Sequence, residues 1–225
     1  FSNISVDLMF GLPRQTLAEL EESVERALEL DLPHLSLYSL KIEENTLFHT
    51  LYERNELPLP DEDTELNMYL RLIELLTDAG YNHYEISNFA RDGRESVHNM
   101  AYWRNQSYYG LGAGAHGYLK GVRHVNVRGI REYIRAAQTG LPVAERHEVD
   151  DREAMEDFMM VGLRMLGGVS PADFREQFGM ELEAVFAREL EELIGKGLLE
   201  LAGGKYRLTR QAIPVGNEVF ARFIS

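Results

Sequence analysis

Apolar and polar residues alternate over residues 4–10, which predicts a β-strand, and the turn Gly11-Leu12-Pro13 follows it. Thr16 and Glu19 then have the spacing of a helix capping box, and apolar residues recur after them with helical periodicity. Residues 35–40 form a second apolar run that predicts a strand. A strand–helix–strand order is typical of an α/β unit with parallel strands and a right-handed crossover.

The middle of the chain mixes helical and strand patterns. Residues 46–55 and 61–79 predict helices, residues 84–88 predict a strand, and residues 88–94 predict a loop. Further on, residues 118–127 predict a hairpin that turns at Lys120-Gly121. We interpret the glycine-rich run before this hairpin as a strand with one bare face, where a backbone or a ligand could approach closely.

A change of composition near residues 149–151 begins a helical tail. The pattern predicts helices over 152–166, from Ser170-Pro171 to Gly179, and over 181–194. A short hairpin across Gly203-Gly204 follows these helices. Helices followed by a hairpin are typical of a winged helix. The would-be recognition helix is strongly acidic, so we expect a packing or docking module and not a DNA reader.

Composition narrows the classes of function. The chain has 225 residues with a formal net charge of −14, which argues against nucleic acid as the main ligand, since phosphate contacts need clustered basic residues. No apolar run is long enough to span a bilayer, and no secretory signal is evident. With no cysteine, the chain offers no thiolate for an iron–sulfur cluster or a structural zinc ion.

The segment from His98 to Trp103 carries the densest candidate chemistry. It combines an imidazole, a carboxamide, a phenol and the only tryptophan of the chain. In a helix, His98 and Tyr102 would face the same side. An imidazole can ligate a metal, and the aromatic rings can flank a large flat ligand. An aromatic patch that closes a core is the alternative on spacing alone.

Four ordered segments together resemble one family: residues 7–16, residues 84–90, the His98–Trp103 segment and residues 110–117. The family is that of the oxygen-independent coproporphyrinogen III oxidases of the radical S-adenosylmethionine (SAM) superfamily, and the pattern is closest to its heme chaperone branch. The resemblance implies an α/β fold: the last part of a partial, TIM-like barrel with extra strands, then a winged-helix-like domain. We expect these to divide at residues 1–48, 49–149 and 150–225.

The resemblance also implies cofactors. Family members bind SAM and a 4Fe–4S cluster through a cysteine motif that this sequence does not contain. We therefore expect this chain to be the C-terminal portion of a longer protein, inactive by itself as a radical enzyme. Asp7 matches a SAM-contacting position, with turn capping as the alternative. Lys41 matches a second such position, although the oxidases have a small residue there.

The remaining site residues concern heme. His98 matches the heme-binding segment of the chaperone branch, so the resemblance implies that it ligates the heme iron. Tyr102 could donate to a propionate or act as a second ligand, and Trp103 could stack on the ring. Asn99 either caps the backbone or contacts the ligand. His116 either lines the same cavity or has a structural role.

Three functions follow from these expectations. The leading hypothesis is a cytoplasmic heme chaperone that passes heme to an acceptor protein. The second is a coproporphyrinogen III oxidase, in which a SAM-derived radical would begin the decarboxylation of propionate side chains. The third is a protein-docking role for the acidic tail.

Overall fold

The computed structural model describes residues 3–224, which separate into two compact units. The first unit ends at Ser96 and the second begins at Val97. In the described residues, no helix is long and apolar enough to cross a membrane.

The first unit is a four-stranded sheet covered by helices. Its elements are β1 (Ser5–Phe10), α1 (Leu17–Glu29), β2 (His34–Ser39), α2 (Leu47–Glu53), α3 (Glu62–Asp78), β3 (Asn82–Glu85) and β4 (Asn88–Ala90). The strand order is β1-β2-β4-β3, with β1 and β2 parallel and the other pairs antiparallel. The predicted strand–helix–strand unit with parallel strands is therefore confirmed.

Local capping and burial account for the helices of this unit. Thr16 and Glu19 form the complete predicted capping box at the start of α1, and Asp61 caps α3 through the backbone amide of Thr64. Each cap satisfies an amide that the helix itself leaves unbonded. Both helices contact β1, and α1 packs against α3. The fully buried side chains of these elements include Leu20, Leu35, Leu37, Met68, Leu72, Leu76 and Phe89.

The expectation of one strand over residues 84–88 is wrong, because the chain folds back between β3 and β4. Glu85 is fully buried at this turn and accepts hydrogen bonds from the backbone amide of Ser87 and the side chain of Asn88. Tyr69 also donates to the carbonyl oxygen of Ile86, at 2.6 Å. These contacts hold a turn that has neither glycine nor proline, so the strongest local turn signals are missing.

The second unit contains a three-stranded antiparallel sheet and a mostly helical tail. Its elements are α4 (Val97–Trp103), β5 (His116–Leu119), β6 (Val122–Asn126), α5 (Ile130–Ala137), β7 (Val143–Glu148), α6 (Asp151–Gly162), α7 (Pro171–Phe178), α8 (Leu182–Val185), α9 (Ala187–Gly195), β8 (Leu199–Ala202), β9 (Lys205–Leu208) and α10 (Gly216–Phe220). The strands pair in the order β5-β6-β7, and β8 pairs with β9 as a separate hairpin. Short 3₁₀ segments, Arg210–Val215 and Ala221–Phe223, flank α10.

Aromatic packing explains where the helical tail differs most from the sequence-based prediction. A single helix over residues 181–194 is wrong, because Phe186 breaks it into α8 and α9. The Phe186 side chain is fully buried and lies edge to face with Phe174 and Phe223. Burying this ring outweighs continuing the helix. The predicted Ser170 cap and the predicted end of the helix at Gly179 are confirmed, and Gly179 adopts a left-handed conformation.

Two histidines of the first unit, the buried His34 and the half-buried His83, make its stability depend on pH. His34 is 6% exposed, and its ring nitrogens lie 2.7 Å from Ser5 Oγ and 2.8 Å from the Tyr84 hydroxyl. His83 stacks on Phe89, with ring centroids 4.2 Å apart. Burial lowers the pKa of both imidazoles from the ordinary value of 6.5.

We predict that the free energy of unfolding falls as the pH drops below about 6.5, since the unfolded chain then binds protons that the folded chain excludes. His83→Phe keeps an aromatic ring against Phe89 and removes one titrating group, so its stability should depend less steeply on pH. Denaturant unfolding followed between about pH 7.5 and pH 5 measures the slope. His116→Gln, at an exposed site, is the control, and an unchanged slope in His83→Phe would contradict the prediction.

Candidate functional site

Helix α4 brings an imidazole and a phenol together. His98 Nε2 lies 2.7 Å from the Tyr102 hydroxyl oxygen, and the two rings meet edge to face. Tyr102 also lies edge to face with Tyr108, with ring centroids 4.4 Å apart. His98 is exposed, whereas Tyr102 is half-buried. The expectation that helical spacing places His98 and Tyr102 on one side is confirmed.

A cavity of about 690 Å³ opens beside α4, within the range of about 300–1,000 Å³ usual for small-molecule sites. Its lining includes His98, Tyr102 and Trp103 from α4 and His116 from β5. We call this space the α4 cavity. The structure thus gathers four of the predicted site residues around one space. Its other aromatic lining residues are Tyr108, Tyr109 and Tyr118.

The glycine-rich run borders the α4 cavity as an irregular loop, so its interpretation as a strand is wrong. Gly112 and Gly114 have φ angles of 108° and 71°, which side chains other than glycine rarely adopt. The Asn126 side chain donates to the carbonyl oxygens of Gly110 and Gly112, at 2.9 and 3.0 Å. A Cβ on Gly110 would lie 2.4 Å from the carbonyl oxygen of His116. The expected close approach at glycine therefore occurs between two backbone segments.

Trp103 presents an unused donor within the cavity wall. The guanidinium of Arg164 covers one face of its indole ring, 4.4 Å from the centroid. The indole Nε1 is buried and has no hydrogen-bond partner in the described part of the chain. A buried donor without a partner is costly, and a ligand acceptor would relieve that cost.

Opposite charges meet at the wall formed by β6 and α6. Arg123 donates to Glu153 at 2.7 Å and also to Asp157, and His147 lies 2.6 Å from Glu153. Burial raises the pKa of the Asp157 carboxyl, while the Arg123 guanidinium acts in the opposite direction. Sequence reasoning did not identify Arg123 or Asp157, because 34 residues separate them. The only signal was that Glu153 and Asp157 share a helix face.

The other predicted site residues do not line this cavity. Asp7 is exposed and lies in the middle of β1. Lys41 follows β2 and pairs with Glu43 at 3.0 Å. Asn99 belongs to α4 but does not line the cavity. Among residues 3–224, no cluster of three or more His, Asp or Glu side chains could hold a metal ion.

Comparisons with known proteins agree on one family. The chain is 45% identical over 225 residues to the heme chaperone HemW of Bacillus subtilis, and 40% identical over 224 residues to that of Lactococcus lactis. Residues 149–215 match the family model of the HemN C-terminal domain. The chain is thus similar over its whole length to the heme chaperones named HemW, and its C-terminal part is similar to the HemN C-terminal domain. It covers 59% of the length of each of these two relatives.

A solved structure of the family shares the fold. Coproporphyrinogen III oxidase (HemN) from Escherichia coli, described as a radical SAM enzyme, matches 99% of this chain and 55% of its own chain with a TM-score of 0.77. The sequence identity is 18%. This likeness shows that the chain has the same α/β fold.

We predict that Arg123→Gln lowers the free energy of unfolding by about 1–3 kcal/mol, because Asp157 loses a charge-assisted partner in a half-buried wall. Arg146→Gln on the neighbouring strand β7 is the matched control, since Arg146 makes no ion pair within residues 3–224. Denaturant unfolding compares the two variants. Equal stabilities would show that the Arg123 network contributes nothing.

Proposed function

We propose that this chain is the heme-binding part of a heme chaperone, which holds heme in the α4 cavity and passes it to an acceptor protein. The observation that carries the proposal is the grouping of His98, Tyr102, Trp103 and His116 around one cavity of about 690 Å³. The relatives that match the whole chain, at 45% and 40% identity, are themselves heme chaperones.

The α4 cavity offers the contacts that a porphyrin needs. The rings of Tyr108 and Tyr118 supply apolar area for a flat macrocycle. Imidazole is a good ligand for heme iron, and His98 Nε2 would exchange its contact with the Tyr102 hydroxyl for the metal. The unused Trp103 N–H could donate to a propionate.

The proposal also includes two features of the fold, a barrel part and a winged-helix-like domain. The parallel pair β1–β2 with its connecting helix supports the end of a radical SAM barrel. The helices α7 to α9 followed by the β8–β9 hairpin support a winged-helix-like domain from residue 150, after a barrel part to residue 48 and an extension over residues 49–149. The exposed acidic side chains of α8 and α9 would suit a docking surface for the acceptor.

The binding of SAM and of a 4Fe–4S cluster is proposed for a longer protein that would contain this chain. This chain has no cysteine and supplies no thiolate ligand to a cluster. Asp7 could accept a hydrogen bond from a SAM hydroxyl, because its carboxylate is exposed on β1. Lys41 would contribute less, since its ammonium group is already paired with Glu43. The oxidase alternative is supported by the shared fold alone.

We predict that heme titration into this chain gives a Soret band that depends on His98. His98→Ala should weaken heme affinity by at least about tenfold, since losing even the groups that orient a metal ligand costs about 10–100-fold. Tyr102→Phe should retain the band, because its ring stays in place and His98 Nε2 is released for the iron. Absorbance titration and circular dichroism check affinity and folding.

Metal-free protoporphyrin IX separates iron ligation from ring contacts. Wild type and His98→Ala should bind it equally, since neither ligates a metal in that complex. His49→Ala, in α2 of the first unit, is the control for general loss of histidine. Native heme affinity and an unchanged Soret band in His98→Ala would refute ligation by His98.

We predict that Asp7→Ala weakens binding of SAM by about tenfold or more, because one charge-assisted hydrogen bond is lost. Calorimetry measures this affinity without any turnover. Asp63→Ala, which removes an exposed carboxylate of α3, is the control. Equal affinities in all three proteins would leave Asp7 without a role in SAM binding.

A further inference from the structure

The sheet β5-β6-β7 has two faces with different chemistry. Side chains alternate across a strand, so His116, Tyr118 and Arg123 face the α4 cavity, whereas Leu119 and Val122 face the opposite side. The proposed heme site uses only the first face.

A second cavity, of about 470 Å³, lies against the opposite face. Apolar side chains from β5, β6 and the start of β7 line it, including Leu119, Val122 and Val143. We call it the β-face cavity. Leu111, Leu141 and Tyr109 also line it, and they are 84%, 78% and 74% exposed. Large exposed apolar side chains around a cavity mark a place where a partner or ligand is bound.

A glycine makes room for the imidazole that lines this cavity. A Cβ on Gly117 would lie 2.2 Å from Cε1 of His124. Any other residue at position 117 would therefore displace this ring. Gly117 is buried on β5 and pairs with His124 on β6. His124 lines the β-face cavity, and its imidazole has no hydrogen-bond partner within residues 3–224.

Two free cations also line the β-face cavity. Lys120 lies in the β5–β6 turn, and Arg146 lies on β7 beside His124. Both are exposed, and neither makes an ion pair with any other described residue. Together with the apolar lining they complement a ligand that is apolar along its length and anionic at one end.

We propose that the β-face cavity binds an apolar molecule that carries one carboxylate. The apolar body packs against Leu119, Val122 and Val143, and the carboxylate accepts hydrogen bonds from Lys120 and Arg146. This site is separate from the α4 cavity and does not rest on the proposed heme function.

The test uses laurate as the probe, added to this chain below the concentration at which laurate self-associates and followed by calorimetry. Wild type should bind one laurate. The double variant Lys120→Gln/Arg146→Gln should bind it about tenfold or more weakly, because both charge-assisted contacts are lost. Dodecyltrimethylammonium, with an equally long chain and the opposite charge, should bind wild type more weakly than laurate does.

The matched control is Arg131→Gln/Arg135→Gln, which removes the same charge from the exposed part of α5 outside the cavity. This variant and His98→Ala should keep native laurate affinity, and Val122→Trp should block binding by filling the cavity. No laurate binding to wild type, or equal weakening by both double variants, would overturn the proposal. The proposal would also be overturned if the protein bound phosphatidylglycerol vesicles but not free laurate. In that case the vesicle binding would be lost only in Arg131→Gln/Arg135→Gln.

Discussion

The carboxamide of Asn126 donates to the carbonyl oxygens of Gly110 and Gly112, and these two hydrogen bonds fix the loop that borders both cavities of the second unit. The backbone amide of Asn126 also donates to the carbonyl oxygen of Ala115, at 2.9 Å. The side chain is buried, so each of these bonds replaces one that water can no longer provide. Glycine allows the backbone to turn here, and α5 adds a further contact, since the backbone amide of Gly112 donates to the Tyr133 hydroxyl at 3.1 Å.

Features that depend on neighbouring residues could be predicted from the sequence. The Thr16–Glu19 capping box, the Ser170 and Gly179 ends of α7 and the hairpin at Lys120-Gly121 all use contacts within a few residues. Features that depend on distant contacts were missed. The turn after Glu85 is held partly by Tyr69, and the break at Phe186 by Phe174 and Phe223. No local pattern records either contact.

In the candidate site, too, contacts between neighbouring residues could be predicted and contacts between distant residues could not. The spacing of His98 and Tyr102 on one helix was enough to predict their contact. The ionic wall of Arg123 and Asp157 could not be predicted, since it joins a strand to a helix 34 residues away. The resemblance to a known family added His116 and the glycine-rich loop as candidates. Both line the α4 cavity together with His98. Without that resemblance, the residue types and spacing of the His98–Trp103 segment would equally fit an aromatic patch that closes a core.

A heme chaperone of the proposed kind needs His98 to ligate the iron of a bound heme within the α4 cavity. A crystal structure of this chain loaded with heme, with the iron located by its anomalous scattering, tests it most directly. We expect iron bonded to an imidazole nitrogen of His98 and a macrocycle lying against the Tyr108 and Tyr118 side chains. Iron bonded to another residue, or a macrocycle outside this cavity, would contradict it.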